Sequence, residues 1–136
     1  RWVTEHPDTE FDFFLPPYSI LFWDKVIREG RTEAVFAAIR QAGQTLLQYD
    51  NVKFYGYLMD PEIVTNLDNY CDYIHHSGGV CREILAMLQR EEGRLTEENL
   101  EETLANWREF VVHYDYDQFW DERFWIQWNA EHAAAP

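Results

Sequence analysis

Asp72-Tyr73-Ile74-His75 sets a carboxylate three residues before a histidine. At that spacing the carboxylate can sit one turn from the imidazole and fix its tautomer and tilt. That is how a general base is prepared to deprotonate a hydroxyl nucleophile. Upstream, Pro16-Pro17-Tyr18-Ser19 adds a phenol and a hydroxyl. Ser19 and Ser77 are the only serines, and neither sits in the glycine-flanked sharp turn that exposes a nucleophile and supplies oxyanion-hole amides. A turn residue or local hydrogen-bond donor fits each. The chain reads as the Asp-His portion of a hydrolase-type site without its nucleophile, His75 being the base and Asp72 its orienting carboxylate. Chance supplies about 0.4 such pairs in a chain of this composition, so a solvated loop pair is the competing reading.

Other polar groupings carry less. His75-His76 with Asp68, Cys71 and Asp72 matches no zinc spacing, and no metal is expected. Cys71 and Cys81 form no C-x-x-C pair; one bridge or two free thiols are both open. His6, His113 and His132 have no partner pattern and read as surface residues. Trp120, Phe124 and Trp128 recur at i, i+4, i+8 with Trp125 beside them, a stripe suited to packing or to sugar rings. Glu97, Glu98, Glu101 and Glu102 read as a solvated helix face.

The elements that must position these residues follow from periodicity. Residues 10–15 are short, aromatic and stopped by two prolines, which predicts a buried strand. Residues 20–29 predict a helix ending at Gly30. Val35, Ile39, Ala42 and Leu46 share one face of a helix over 32–48, with Thr32 as N-cap. Residues 52–58 predict a second strand. Strand, helix and strand at this spacing make a βαβ unit with parallel strands and a right-handed crossover. A polar stretch over 60–79 then carries the Asp72/His75 pair. Val80, Ile84 and Leu88 mark a helix over 80–91. Thr96 caps another, whose apolar face is Leu100, Leu104, Trp107 and Val111. Residues 114–129 predict a short aromatic helix, and 130–136 a frayed tail after a single domain over 1–129. Two strands make no stable sheet, so further strands exist or a sheet edge stands open.

Composition bounds the class. The 136 residues suit one domain, and the formal charge of −14 excludes binding driven by phosphate neutralisation, so no nucleic-acid partner is expected. An anionic membrane surface is disfavoured for the same reason. No apolar run approaches the roughly 18 residues that span a bilayer, so no transmembrane segment is expected. The first residue is not Met, which reads as a fragment or processed product.

Asn66-Leu67-Asp68-Asn69-Tyr70-Cys71-Asp72-Tyr73-Ile74-His75, together with Pro7 to Phe11 and Pro16 to Trp23, resembles the C-terminal half of bacterial SGNH (GDSL-like) hydrolase-family proteins. The similar branch is a cell-envelope one, distantly related to proteins of teichoic-acid D-alanylation and polysaccharide acetylation. The resemblance runs over roughly residues 5–120. It implies a partial flavodoxin-like three-layer α/β/α fold, helix-rich with few parallel strands. It implies His75 as general base and Asp72 as its orienting carboxylate, with the nucleophilic serine and oxyanion hole outside this chain. Tyr18 and Ser19, delivered by the first strand to the same end, are the candidate substrate-binding residues. It further implies a serine esterase or O-acyltransferase acting on an acylated glycan or similar ester, no metal or organic cofactor, and an extracytoplasmic location. His76-Ser77-Gly78-Gly79 departs from the Tyr and Ser-Pro-Glu expected after the histidine. The alternative is a non-catalytic glycan- or protein-binding α/β module with an aromatic surface. As cut, the chain is expected to lack turnover and to self-associate through uncovered apolar surface.

Overall fold

Three phenylalanines in four residues give Phe11–Phe14 a strong preference for extended backbone, and Pro16 and Pro17 end the ladder because neither has an amide to donate. In the computed structural model, which describes residues 1–121 together with Ile126 and Ala130, this segment is strand β1. A short helix α1 (Trp2–Glu5) precedes it. After it come α2 (Ile20–Arg28), α3 (Thr32–Leu46), β2 (Val52–Tyr55), α4 (Pro61–Val64), α5 (Gly78–Gln89), β3 (Arg94–Leu95) and α6 (Leu100–His113). Single 3-10 turns cover Tyr57–Met59, Leu67–Asn69 and Asp117–Phe119.

The sheet has the order β1-β2-β3. β1 and β2 are adjacent and parallel, with Phe11 opposite Val52 and Phe14 opposite Tyr55. The strand–helix–strand unit expected from the sequence is therefore present, though two helices, α2 and α3, make the crossover. β3 adds antiparallel to β2 through Phe54 opposite Leu95 and Tyr55 opposite Arg94. Sequence reading missed β3 because two residues carry no periodicity. Their pairing is set up by Gly93, whose φ of 71° turns the chain back and whose carbonyl accepts the Gly56 amide at 3.0 Å.

Adjacent residues of β2 point to opposite faces, and this divides the core. Phe54 packs into the larger cluster, built by Ile20, Trp23 and Val26 of α2, Phe36 and Ile39 of α3, and Leu100, Leu104, Trp107 and Val111 of α6. Tyr55 packs on the other face with Tyr57, Ile63 and, from α5, Val80, Ile84 and Met87. At the centre of the first cluster the Trp23 ring lies 5.2 Å from Phe36 and 6.0 Å from Trp107, the latter edge-on. α3 approaches α6 closely at Gly43, where a Cβ would fall 2.7 Å from Leu100 Cδ2.

Several expectations need correction. β1 is an edge strand, not a buried one: Phe13 and Phe14 are 38% and 41% exposed. The second strand stops at Tyr55, because Gly56 turns into the 3-10 segment that buries Tyr57, Leu58 and Met59. The N-cap of α3 is Arg31, with Thr32 the first helical residue. The stretch over 60–79 is not simply polar. Asp60 caps α4 by accepting from the Glu62 and Ile63 amides at 3.0 and 3.2 Å, and α4 buries Ile63 and Val64. The N-cap of α6 is Asn99, not Thr96; Thr96 stands in the turn before it and exchanges bonds with Asn99, its amide donating to Asn99 Oδ1 at 2.8 Å and its Oγ1 accepting from the Asn99 amide at 3.3 Å. Residues 114–121 hold a 3-10 turn where a helix was expected, and most of the remaining tail, including Phe124, Trp125 and Trp128, lies outside the described residues. The fold is mixed α/β, with helices on both faces of a three-stranded sheet.

The indole nitrogens of Trp23 and Trp107 are buried and find no hydrogen-bond partner among the described residues. Trp107→Ala should lower unfolding stability by about 3–5 kcal/mol, the usual loss for a large core aromatic. Trp107→Phe should change it by less than about 1.5 kcal/mol, because it keeps the ring and removes the unsatisfied N–H. Urea unfolding of the two variants checks the contrast.

Candidate functional site

The site lies beyond the carboxyl ends of the parallel strands, where open α/β sheets place their ligands. β1 ends at Phe14 and runs through Pro16 and Pro17 into Ser19, the N-cap of α2. The segment 69–77 docks onto this exit. The Ser19 amide and the Ser19 hydroxyl both donate to the Tyr73 carbonyl, each at 3.0 Å. The Tyr70 hydroxyl donates to the Pro17 carbonyl at 2.9 Å, and burial holds its pKa well above the usual phenol range. The segment closes on itself: the Cys71 amide donates to the His75 carbonyl at 2.9 Å and the Ser77 amide to the Asn69 carbonyl at 2.7 Å.

Within this loop Asp72 and His75 meet as the spacing required. Asp72 Oδ2 lies 2.6 Å from His75 Nδ1. Asp72 Oδ1 accepts from the backbone amides of Ile74 and His75 at 2.9 and 2.8 Å. The carboxylate is therefore both an orienter of the imidazole and the cap of its own turn. The His75 hydrogen bond first, then the two amides, hold its pKa down to about 2. Both side chains are open to solvent, His75 at 72% and Asp72 at 47%.

The other sequence candidates fall differently. Ser19 is fully buried and its hydroxyl is committed to Tyr73, so it serves as a structural tie. Tyr18 is half-buried and packs edge-on against Phe22 at 4.9 Å. Ser77 is the N-cap of α5, its hydroxyl accepting from the Val80 amide. Cys71 and Cys81 are free thiols and exposed, with Cys81 Sγ 3.7 Å from His76 Nδ1. His6 and His113 are exposed, as surface residues should be, and His132 lies outside the described residues. Among the described residues no cluster of three His, Cys, Asp or Glu could hold a metal ion, and no helix is long and apolar enough to cross a membrane.

An open cleft of about 460 Å³ lies between α2 and the 67–73 segment. Leu21, Leu67, Tyr70, Tyr73 and Trp120 supply its apolar walls. Asp24, Lys25, Arg28 and Asp72 supply charge. Asp24 is 4% exposed and organises one wall. It pairs with Arg28 at 2.6 Å and accepts from the Trp120 indole nitrogen at 2.9 Å, while the Arg28 guanidinium lies 5.9 Å from the Trp120 ring centre. Asp24 and Arg28 escaped sequence reading, yet a signal exists. Asp24 occupies the i+4 position from Ile20 on the buried face of α2, where periodicity calls for an apolar residue, and Arg28 follows one turn later.

No protein-family model matches the chain, and no solved structure matches it. Two curated relatives, each named a UPF0735 ACT domain-containing protein, come from Lacticaseibacillus casei (strain BL23) and Lacticaseibacillus paracasei (strain ATCC 334). Each is 24% identical over 90 residues, which is 66% of this chain and 62% of the relative. The chain thus spans less than two thirds of their length. This finding overturns the SGNH resemblance and the hydrolase, esterase and acyltransferase function drawn from it.

Asp72→Asn should loosen the loop, seen as faster hydrogen exchange at the Ile74 and His75 amides with the α6 core unchanged. Because the folded pKa of Asp72 is depressed, its stabilisation of the loop is fully present above the ordinary carboxylate value near 3.8 and is lost as pH falls through about 2. The protection of the Ile74 and His75 amides in the wild type, taken against the intrinsic exchange rate at each pH, should fall over that acid window and hold steady above it. Separately, Asp24→Leu should destabilise the fold by about 3–5 kcal/mol, measured by urea unfolding, because it removes one partner of a buried ion pair.

Proposed function

We propose that this chain is a non-catalytic module that binds a small molecule in the cleft between α2 and the 67–73 segment. The observation that carries this reading is the cleft itself: apolar walls of a volume suited to one small ligand, with Ser19, the hydroxyl beneath it, locked onto a backbone carbonyl. Leu21, Tyr73 and Trp120 would receive an apolar or aromatic body. Lys25 and Asp72, of opposite charge, both reach the cleft and suit a zwitterionic head. Lys25 is now paired with Glu29 at 2.6 Å across an exposed helix turn, an arrangement weak enough for a ligand to replace. The Asp72–His75 pair then serves as a positioning device that holds Tyr73 and the loop against Ser19. The name of the curated relatives supports the same class, since an ACT domain suggests a regulatory ligand-binding role rather than a catalytic one.

The test is an NMR titration with L-phenylalanine, benzoate and phenethylamine as probes. Saturable shifts confined to residues 19–28 and 67–73, strongest with L-phenylalanine and weakened by Leu21→Asp, are expected. Shifts absent at 10 mM probe, or unaffected by Leu21→Asp, would count against the cleft. Turnover of p-nitrophenyl acetate above a His75→Ala control would overturn the non-catalytic reading.

A further inference from the structure

The outer edge of β1 carries a second, independent message. In a strand, successive residues present their backbone groups to alternate sides. Phe11 and Leu15 donate to Asn51 and Tyr55 across the parallel pair, each at 2.9 Å. Asp12 and Phe14 therefore turn their amide and carbonyl groups away from β2. β1 ends the sheet order, and nothing among the described residues pairs with those groups. The side chains are as open as the backbone. Asp12, Phe13 and Phe14 are all exposed, and the strand has neither proline nor lysine to blunt it. Asp12 sits between phenylalanines with no ion pair among the described residues. Its carboxylate accepts a 3.4 Å bond from the Tyr55 hydroxyl.

We propose that this edge takes up an extended segment of a partner polypeptide by strand addition, with a Lys or Arg opposite Asp12 and apolar residues opposite Phe11, Phe13 and Phe14. Main-chain bonds to Asp12 and Phe14 supply affinity, and the charge opposite Asp12 supplies selectivity. A second copy of this chain is the wrong occupant on electrostatic grounds. Antiparallel pairing about a twofold axis must match residues that face the same side of the sheet. Registers centred on Asp12 or on Phe13 do so while pairing three of the four strand residues; those centred on Phe11 or Phe14 pair a single strand residue. The first sets the two Asp12 carboxylates directly opposite. The second leaves them on one face as diagonal neighbours, roughly 7–8 Å apart. Each copy also carries a net charge of −14. Asp12 thus disfavours self-pairing and favours a basic strand through the same interaction.

The test uses the capped heptapeptide Ser-Val-Val-Lys-Val-Val-Ser, which reads the same in either direction, and its counterpart with Glu in place of Lys. Against the wild-type chain, the Lys peptide should protect the Asp12 and Phe14 amides from exchange and bind roughly tenfold more tightly than the Glu peptide. In Asp12→Lys, a change at an exposed position, the preference should invert. Equal binding of the two peptides, an unchanged preference in Asp12→Lys, or no protection of the two amides at 1 mM peptide would each overturn the proposal. Sedimentation showing a dimer of the chain with protected Asp12 and Phe14 amides would overturn it in favour of a second copy.

Discussion

Parallel pairing of β1 with β2 constrains everything that follows. Two parallel strands cannot be joined by a tight turn, so the chain between them must travel back along the sheet. It does so as α2 and α3, and those helices bring Ile20, Trp23, Phe36 and Ile39 over Phe54. The same pairing delivers the exits of both strands to one end. From there β1 leads directly into Ser19 and α2, while β2 leads through Tyr57–Met59 and α4 into the 69–77 loop. The loop returns to Ser19 because that residue offers an amide and a hydroxyl to one carbonyl, that of Tyr73. Neither group could be left unpaired at a fully buried position without a penalty of about 1–3 kcal/mol. Site and core are thus joined at Ser19, with the Tyr70–Pro17 bond beside it.

Two carboxylates define the chemistry at this end, and their environments separate their roles. Asp24 is enclosed, and its oxygens are taken by Arg28 and the Trp120 indole. It sets the shape of a wall. Asp72 is exposed, and its oxygens are taken by its own turn and by His75. It sets the shape of a loop. The contact between Asp72 and His75 is accounted for by the turn that Asp72 caps. Orientation of a histidine by a carboxylate is a local property of a turn and occurs wherever the turn forms. Catalysis depends on what stands opposite.

The asymmetry of the sheet matters in the same way. β2 is covered on both faces and paired on both edges, whereas β1 is paired on one edge and carries exposed phenylalanines. A short strand of this composition would ordinarily be a template for aggregation. The central Asp12 and the strong negative charge of the chain oppose that outcome without covering the edge.

Local chemistry legible in the residues themselves determined a good deal. The apolar face of α6, the end of α2 at Gly30 and the contact of Asp72 with His75 follow from short-range spacing, because i, i+3 and i+4 neighbours meet in any helix or turn, and the parallel β1–β2 pair follows from the order strand, helix, strand. Only the tertiary structure decided the rest. It placed β1 at the edge, since a run of phenylalanines reads the same whether or not a neighbour covers it. It recruited Arg94 and Leu95 as a third strand, whose two residues have no period to read. It buried Asp24 against Trp120, 96 residues away in sequence. It turned Ser19 from a candidate substrate contact into a buried tie. Each of these depends on which distant groups desolvate one another, and residue spacing along a chain does not contain that information.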